Sequence, residues 1–166
     1  MILLIQNEVR RRIFEESYSR IDNCLDRLTF DQIWHKPNQN ANSIGNLVLH
    51  LLGNVRQYVC SGIGGQKDVR NRDEEFQLTS ACSPEDLKVQ MRLLEKDVIE
   101  VVNNLTEEKL ISVYRVQGFE ESGISIIIHV IEHFSYHVGQ IAQQTKLLVD
   151  QDLGFYAGLD LNAKSN

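Results

Sequence analysis

The amino-acid sequence predicts an all-α protein, specifically a four-helix bundle with a long loop between the second and third helices. Apolar residues recur at spacings of three and four over four segments of roughly 20 residues. Both prolines of the chain, Pro37 and Pro84, stand where a loop should run or a helix should start. The 166 residues and their 42% hydrophobic content fit one domain, 1–166, with a single core.

The N-terminal half should hold the first two helices. The first helix is expected from about Leu4 to Leu28, where apolar side chains return every three or four positions. Thr29 and Gln32 then have the spacing of a capping box, and a polar loop around Pro37 follows. The second helix is expected from about Ser43 to Cys60.

The C-terminal half should hold the other two helices and no strand. The glycine-rich and charged stretch Ser61–Ala81 is expected as the long loop. Ser83 and Pro84, followed by two acidic residues, then open a third helix that should end near Asn104. A fourth helix is expected from about Ser122 to Val149.

Composition argues against several classes of function. The net charge of -6 would repel a nucleic-acid backbone, so we expect no nucleic-acid partner. The apolar run at the N-terminus is too short for a signal peptide or a membrane span, which predicts a cytoplasmic protein without a membrane partner. The three cysteines are odd in number and form no C-x-x-C pair, so neither a disulfide framework nor a zinc knuckle is indicated.

The histidines are the most informative residues. His129, His133 and His137 are spaced by four and form a stripe along the fourth helix. On a helical wheel His137 and His133 lie nearer the apolar face, whereas His129 points most nearly to solvent or a neighbouring molecule. His50, in the middle of the most hydrophobic part of the second helix, is a candidate third metal ligand from another helix. His35 is expected in a loop at the surface. The alternative is that these histidines line the core edge and bond to carbonyls or water.

Two stretches carry a resemblance to a known family. "SIGNLVLHLLGN" (43–54) and "HFSYHVGQIAQ" (133–143) resemble the DinB-like superfamily, also called YfiT-like four-helix bundle proteins, in which a mid-helix histidine precedes a late H-x-x-x-H-x-G-Q element. The intervening "GGQKDVRNRDEEF" (64–76) resembles a subgroup known only as a domain of unknown function. The resemblance implies a divalent metal, zinc or nickel, held by His50, His133 and His137, and a homodimer. Where many relatives have a basic residue before the G-Q, this chain has Val138.

The resemblance also implies a function, with alternatives. Similar proteins are metal-dependent transferases that join a low-molecular-weight thiol, the cosubstrate, to a small electrophile. The alternatives are a metal-dependent hydrolase, a non-catalytic metal-binding or small-molecule-binding module, and a structural protein whose histidines only pack. Arg70 and Arg72 are the candidate substrate-binding residues, since they could clamp a carboxylate of the thiol, or they could pair with neighbouring acids and organise the loop. Glu132 is a weaker candidate for a general base because it falls on the outer face of its helix.

Overall fold

Four long helices form the frame of the protein, which a computed structural model describes for residues 1–164. The first, α1, begins as an α-helix (Ile2–Val9), continues as a π-helix (Arg10–Tyr18) and ends as an α-helix (Ser19–Leu25). In chain order there follow α2 (Phe30–Trp34), α3 (α-helical Ile44–Val55 and π-helical Arg56–Ile63), α4 (Arg72–Gln77), α5 (Pro84–Asn103), α6 (Glu107–Ile111), β1 (Val113–Val116), β2 (Phe119–Ser122) and α7 (Gly123–Val149). The predicted four-helix bundle is confirmed, with α1, α3, α5 and α7 as its long helices.

The helix starts follow from side-chain caps. Ser43 and Ser83 each accept a hydrogen bond from the backbone N–H three residues later and complete a reciprocal capping box, with Asn46 and Asp86 respectively. Thr29 forms the predicted capping box with Gln32 at the start of α2. Each such cap satisfies N–H groups that the first helical turn leaves without partners and contributes about 1 kcal/mol.

Helix α3 packs against several other helices of the bundle. It contacts α2, α4, α5 and α7, which explains why apolar residues surround it on nearly every side. Its side chains Leu47 and Leu51 are fully buried together with Phe134 of α7 and Met91 of α5. The polar residues of α3 that enter this environment, His50 among them, therefore need partners from the neighbouring helices.

The expectation of no strand was wrong. Strands β1 and β2 form an antiparallel two-stranded hairpin, with Val113 opposite Ser122 and Val116 opposite Phe119. Gln117 and Gly118 form its turn, and both have positive φ. The strands have four residues each and are largely exposed, so the sequence lacks the alternating pattern by which a half-buried strand is recognised.

The expected long loop between the second and third bundle helices is not confirmed as one irregular segment. Helix α3 continues as far as Ile63, and α4 occupies Arg72–Gln77 inside the stretch expected to be irregular. Helix α4 packs directly on α3, which brings charged residues of this segment close to His50. None of the helices within residues 1–164 combines the length and the apolar character that crossing a membrane requires.

Candidate metal centre

Three histidine side chains converge between α3 and α7. The Nε2 atom of His133 lies 3.1 Å from Nε2 of His50 and 3.1 Å from Nε2 of His137. One ring nitrogen from each of the three residues falls within 4.8 Å of the others. His133 and His137 reach this point from successive turns of α7, and His50 reaches it from α3. The structure therefore brings together all three residues that the sequence singled out as candidate metal ligands.

The hydrogen bonds of the Nδ1 atoms determine whether the Nε2 atoms of His50 and His137 carry a proton or a lone pair. Nδ1 of His50 lies 2.9 Å from Oε2 of Glu75, and Nδ1 of His137 lies 2.7 Å from Oε1 of Gln140. Nη2 of Arg70 also lies 3.1 Å from Nδ1 of His50, but the Glu75 carboxylate, which can only accept, is nearer. We therefore assign the proton to Nδ1 of both His50 and His137, which leaves each Nε2 with a lone pair directed at the centre. The Nε2 atom of His133 can donate to one of these lone pairs but not to both. At least one Nε2 lone pair of His50 or His137 is therefore directed at the cluster without a donor, an arrangement that a cation would stabilise.

Two of the three nitrogen–nitrogen distances and the protonation states fit a metal ion, and the third pair, His50 with His137, lies within 4.8 Å. Zinc–nitrogen bonds of about 2.0–2.1 Å would separate two nitrogens by about 2.9 Å at a right angle and about 3.4 Å at the tetrahedral angle, and the 3.1 Å separations lie between these values. Burial, together with the nearby His137, His50, His129 and Arg70, lowers the pKa of His133 to about 3. Burial also lowers the pKa of His137 against the opposing hydrogen bond to Gln140. Neutral imidazole, the form that binds metals, is thus favoured at neutral pH.

The comparisons with known proteins agree with this architecture. Residues 6–157 match the model of a family described as "Protein of unknown function (DUF1572)". The chain belongs to the DUF1572 family. No curated protein matches the chain.

Solved structures show which fold the DUF1572 chain has. It is similar to a conserved protein from Enterococcus faecalis, with a TM-score of 0.72, 13% identity and coverage of 91% of this chain and 98% of the other. A DinB-like protein from Bacillus cereus matches with a TM-score of 0.64, 15% identity and coverage of 81% and 87%. A DinB-like protein from Bacillus subtilis matches with a TM-score of 0.64, 19% identity and coverage of 87% and 91%. The DUF1572 chain therefore has a DinB-like fold.

The candidate substrate-binding arginines of the DUF1572 chain occupy different environments. Arg70 is turned inward, and its Nε and Nη2 atoms donate to the two carboxylate oxygens of Glu75 at 2.7 and 2.9 Å. Arg72 is exposed, with its guanidinium 5.0 Å from the centre of the Phe76 ring. The ion-pair alternative thus describes the contacts of Arg70, and a role of either arginine in substrate binding stays a prediction.

Sequence reasoning missed Glu75 as a residue of the site. Its side chain is buried and accepts hydrogen bonds from both His50 and Arg70. These hydrogen bonds outweigh the effect of burial and lower the pKa of the carboxyl group, so Glu75 is anionic at neutral pH. Glu74 and Glu75 are adjacent and chemically identical, so the sequence contains no signal that distinguishes the buried one from the exposed one.

The prediction that His129 points most nearly to solvent or a neighbouring molecule is not confirmed, because its side chain is half-buried against α3. Its ring lies 4.4 Å from the ring of Tyr58 and stacks at 5.4 Å on the ring of His133. Its Nε2 atom is 3.4 Å from Nδ2 of Asn54. Residues of α3 therefore cover the side of α7 that a helical wheel of α7 alone leaves open. His35, in contrast, is exposed as expected.

Proposed function

We propose that the protein binds a divalent metal ion, zinc or nickel, through His50, His133 and His137. The observation that carries the proposal is the convergence of three Nε2 atoms of which at least two present lone pairs to the same point. Imidazole nitrogen is a ligand that suits both zinc and nickel, and three protein ligands leave room for a further small ligand. The donor set therefore fits the metal that the family resemblance implies.

We further propose that the protein is a transferase that joins a low-molecular-weight thiol to a small electrophile. A divalent ion at this centre would supply a lowered pKa for a bound thiol, so that it reacts as a thiolate near neutral pH. The buried cysteines of the chain do not fill this role, because burial raises the pKa of Cys24 and raises that of Cys60 to about 11. Burial also raises the pKa of the half-buried Cys82 thiol, so a nucleophilic thiol would come from a second molecule.

The surrounding residues would orient the ligands and limit water. Glu75 and Gln140 hold the Nδ1–H tautomers of His50 and His137, which keeps each Nε2 available. The ring of Phe76 lies 4.7 Å from the ring of His50, and the ring of Tyr136 lies 4.9 Å from that of His137. The half-buried Phe76 ring would limit the access of bulk water on its side of the histidine cluster, whereas the Tyr136 side chain, 63% exposed, lies at the edge that faces solvent.

A thiol-consumption assay tests the transferase proposal. Protein loaded with zinc or nickel is incubated with glutathione, bacillithiol or mycothiol and a generic aryl halide, and the loss of free thiol is followed. We expect turnover that requires the metal, disappears with a chelator and in His133→Ala, and rises with pH as the thiol loses its proton. His35→Ala is the matched control. Turnover that persists after the metal is stripped would contradict the proposal, and metal-dependent ester hydrolysis without thiol transfer would favour a hydrolase instead.

We also propose that the protein works in the cytoplasm as a homodimer on a small-molecule substrate. Free cysteines, as found for Cys24, Cys60 and Cys82, suit a reducing compartment. Ile124 and Ile128 lie one turn apart on α7 and are exposed, which supports association through a helix face. Light scattering at micromolar concentration that gives the mass of a monomer would reject the dimer.

A further inference from the structure

A buried ion pair of Arg70 and Glu75 contacts His50 at Nδ1, the ring nitrogen that does not face His133. The side chains of Arg70 and Glu75 are only 5% and 11% exposed. Arg70 Nε donates to Oε1 of Glu75 at 2.7 Å and Nη2 donates to Oε2 at 2.9 Å, while Nη1 donates to Oε1 of Gln57 at 2.9 Å. The remaining contact of Oε2 is with Nδ1 of His50, at 2.9 Å. The carboxylate is therefore shared between the guanidinium and the histidine.

Helix α3 is shaped to receive this ion pair. Gly53 lies one turn from His50 in the helix interior, where glycine is a poor choice because it lacks a side chain and leaves the backbone flexible. A Cβ atom at this position would overlap Oε1 of Glu75 and lie 2.9 Å from Nε of Arg70. The absence of a side chain at Gly53 thus allows the ion pair to lie against the helix.

The segment that carries the ion pair, Asp68–Leu78, is anchored largely by polar contacts. Nδ2 of Asn46 donates to the backbone carbonyl oxygens of Glu75 and Leu78, at 2.8 and 2.7 Å. Nζ of Lys36 donates to the carbonyl oxygen of Phe76 at 3.0 Å, and the Phe76 ring packs on His50. The position of the segment is therefore tied to the position of the His50 ring.

Stability alone is a weak reason to keep such an ion pair. Removing two charges from water costs free energy, and apolar residues of similar volume often replace a buried ion pair with no loss of stability. The orientation of His50 is a more specific consequence. The nearer Glu75 carboxylate favours the Nδ1–H tautomer of His50 over the one in which Nδ1 would accept from Nη2 of Arg70, and this tautomer directs the Nε2 lone pair toward His133.

We propose that Glu75 is a positioning residue for His50, and that the segment Asp68–Leu78, here called the latch, closes over His50 in a manner linked to metal binding. The proposal rests on the proposed metal site. Arg70 holds the Glu75 carboxylate, Glu75 holds the His50 ring, and Gly53 makes room for both. Linkage is reciprocal, so a metal ion that needs a correctly oriented His50 stabilises the closed latch, and a closed latch strengthens metal binding.

Zinc affinity measured by competition with a chromogenic chelator tests the positioning role. Glu75→Gln keeps the shape of the side chain but removes its charge, and we expect zinc to bind about 10–100-fold more weakly. Glu74→Gln makes the same change at the exposed neighbour and should leave the affinity unchanged. Gly53→Ala should also weaken zinc binding although alanine favours the helix, because the added Cβ displaces Glu75.

Hydrogen exchange of the wild-type protein tests the latch without relying on any variant. Saturating zinc should slow exchange of the backbone amides of α4, Arg72–Gln77, while amides of α2 should show little change. Equal zinc affinity in Glu75→Gln and Glu74→Gln, or exchange in α4 that zinc does not alter, would overturn the latch and leave the metal site standing. A wild-type protein that binds no zinc or nickel would overturn the proposed function, and the latch with it.

Discussion

Acid should destabilise the metal-free protein through its buried histidines, His133 above all. The folded pKa of His133 is about 3, because burial and the neighbouring cationic groups disfavour its protonated form, whereas the ordinary value is 6.5. Near pH 5 the unfolded chain therefore binds a proton that the folded chain does not, and protonation favours unfolding. The contribution of neutral His133 to the free energy of unfolding is fully present above pH 6.5, the ordinary pKa. It is lost as the pH falls toward about 3, the pKa in the folded protein.

The loss of stability in acid can be calculated from the lowered pKa of His133. For a fully buried group, the free energy of unfolding falls by about 1.4 kcal/mol for each pH unit between the pKa values of the unfolded and folded states. Between pH 6.5 and 5 this amounts to about 2 kcal/mol. The ring of His133 is only partly buried, so solvent screening should reduce the loss to about 1 kcal/mol. Urea unfolding of chelator-treated protein at neutral and mildly acidic pH measures this loss of unfolding free energy.

A non-titrating variant separates His133 from the other ionisable groups. His133→Gln should lose less stability than the wild type over the same pH interval, while His35→Gln, at an exposed position, should behave as the wild type does. Equal losses in His133→Gln and in the wild type would refute the assignment of the acid sensitivity to His133.

Three further predictions concern the core, the hairpin and the thiols. Phe134→Ala should lower the free energy of unfolding by about 3–5 kcal/mol, because this fully buried ring packs against Tyr18 at 5.9 Å. Gln117→Gly should raise the melting temperature and stabilise the protein by about 1 kcal/mol, because Gln117 has a φ of 54° that glycine adopts without strain. Cys60, whose pKa burial raises to about 11, should resist iodoacetamide at mildly alkaline pH in the native protein, as mass spectrometry would show.

Each of these predictions has a control and a contradicting result. Phe119→Ala, at an exposed position, should cost little, and an equal cost at Phe119 and Phe134 would contradict the packing argument. A lower melting temperature in Gln117→Gly would show that contacts of the Gln117 side chain, such as that with the Tyr58 hydroxyl, outweigh the backbone strain. Cys60 should be labelled fully once the protein is unfolded, and full labelling in the native state would contradict its burial.

Much of the fold could be predicted because local signals determine where the helices start. Thr29 has the predicted capping-box spacing with Gln32, and Ser43, Ser83 and Ser122 are the N-caps of helices at or next to the predicted helix starts. The hairpin of β1 and β2 could not be predicted in the same way. Its strands are short, and its turn has Gln117 where asparagine or aspartate before glycine would have signalled the fold.

In the candidate site, too, features set by spacing within one helix could be predicted, whereas contacts between different elements could not. The pairing of His133 with His137 follows from helical spacing, and the structure brings His50 to them. The environment of His129 depends on Tyr58 of another helix, a contact that no periodicity within α7 contains. The role of Glu75 depends on how Asp68–Leu78 folds back on α3, and only the three-dimensional structure distinguishes it from Glu74.

The metal content of purified variants tests the central claim, that His50, His133 and His137 hold a divalent ion, most directly. Protein reconstituted with zinc or nickel, freed of excess metal and analysed by mass spectrometry for metals should contain one ion per chain. His50→Ala, His133→Ala and His137→Ala should each lose the stoichiometric ion, because two imidazoles rarely hold such a metal tightly, whereas His129→Ala and His35→Ala should retain it. Metal that persists in His133→Ala but is lost in His129→Ala would contradict the account.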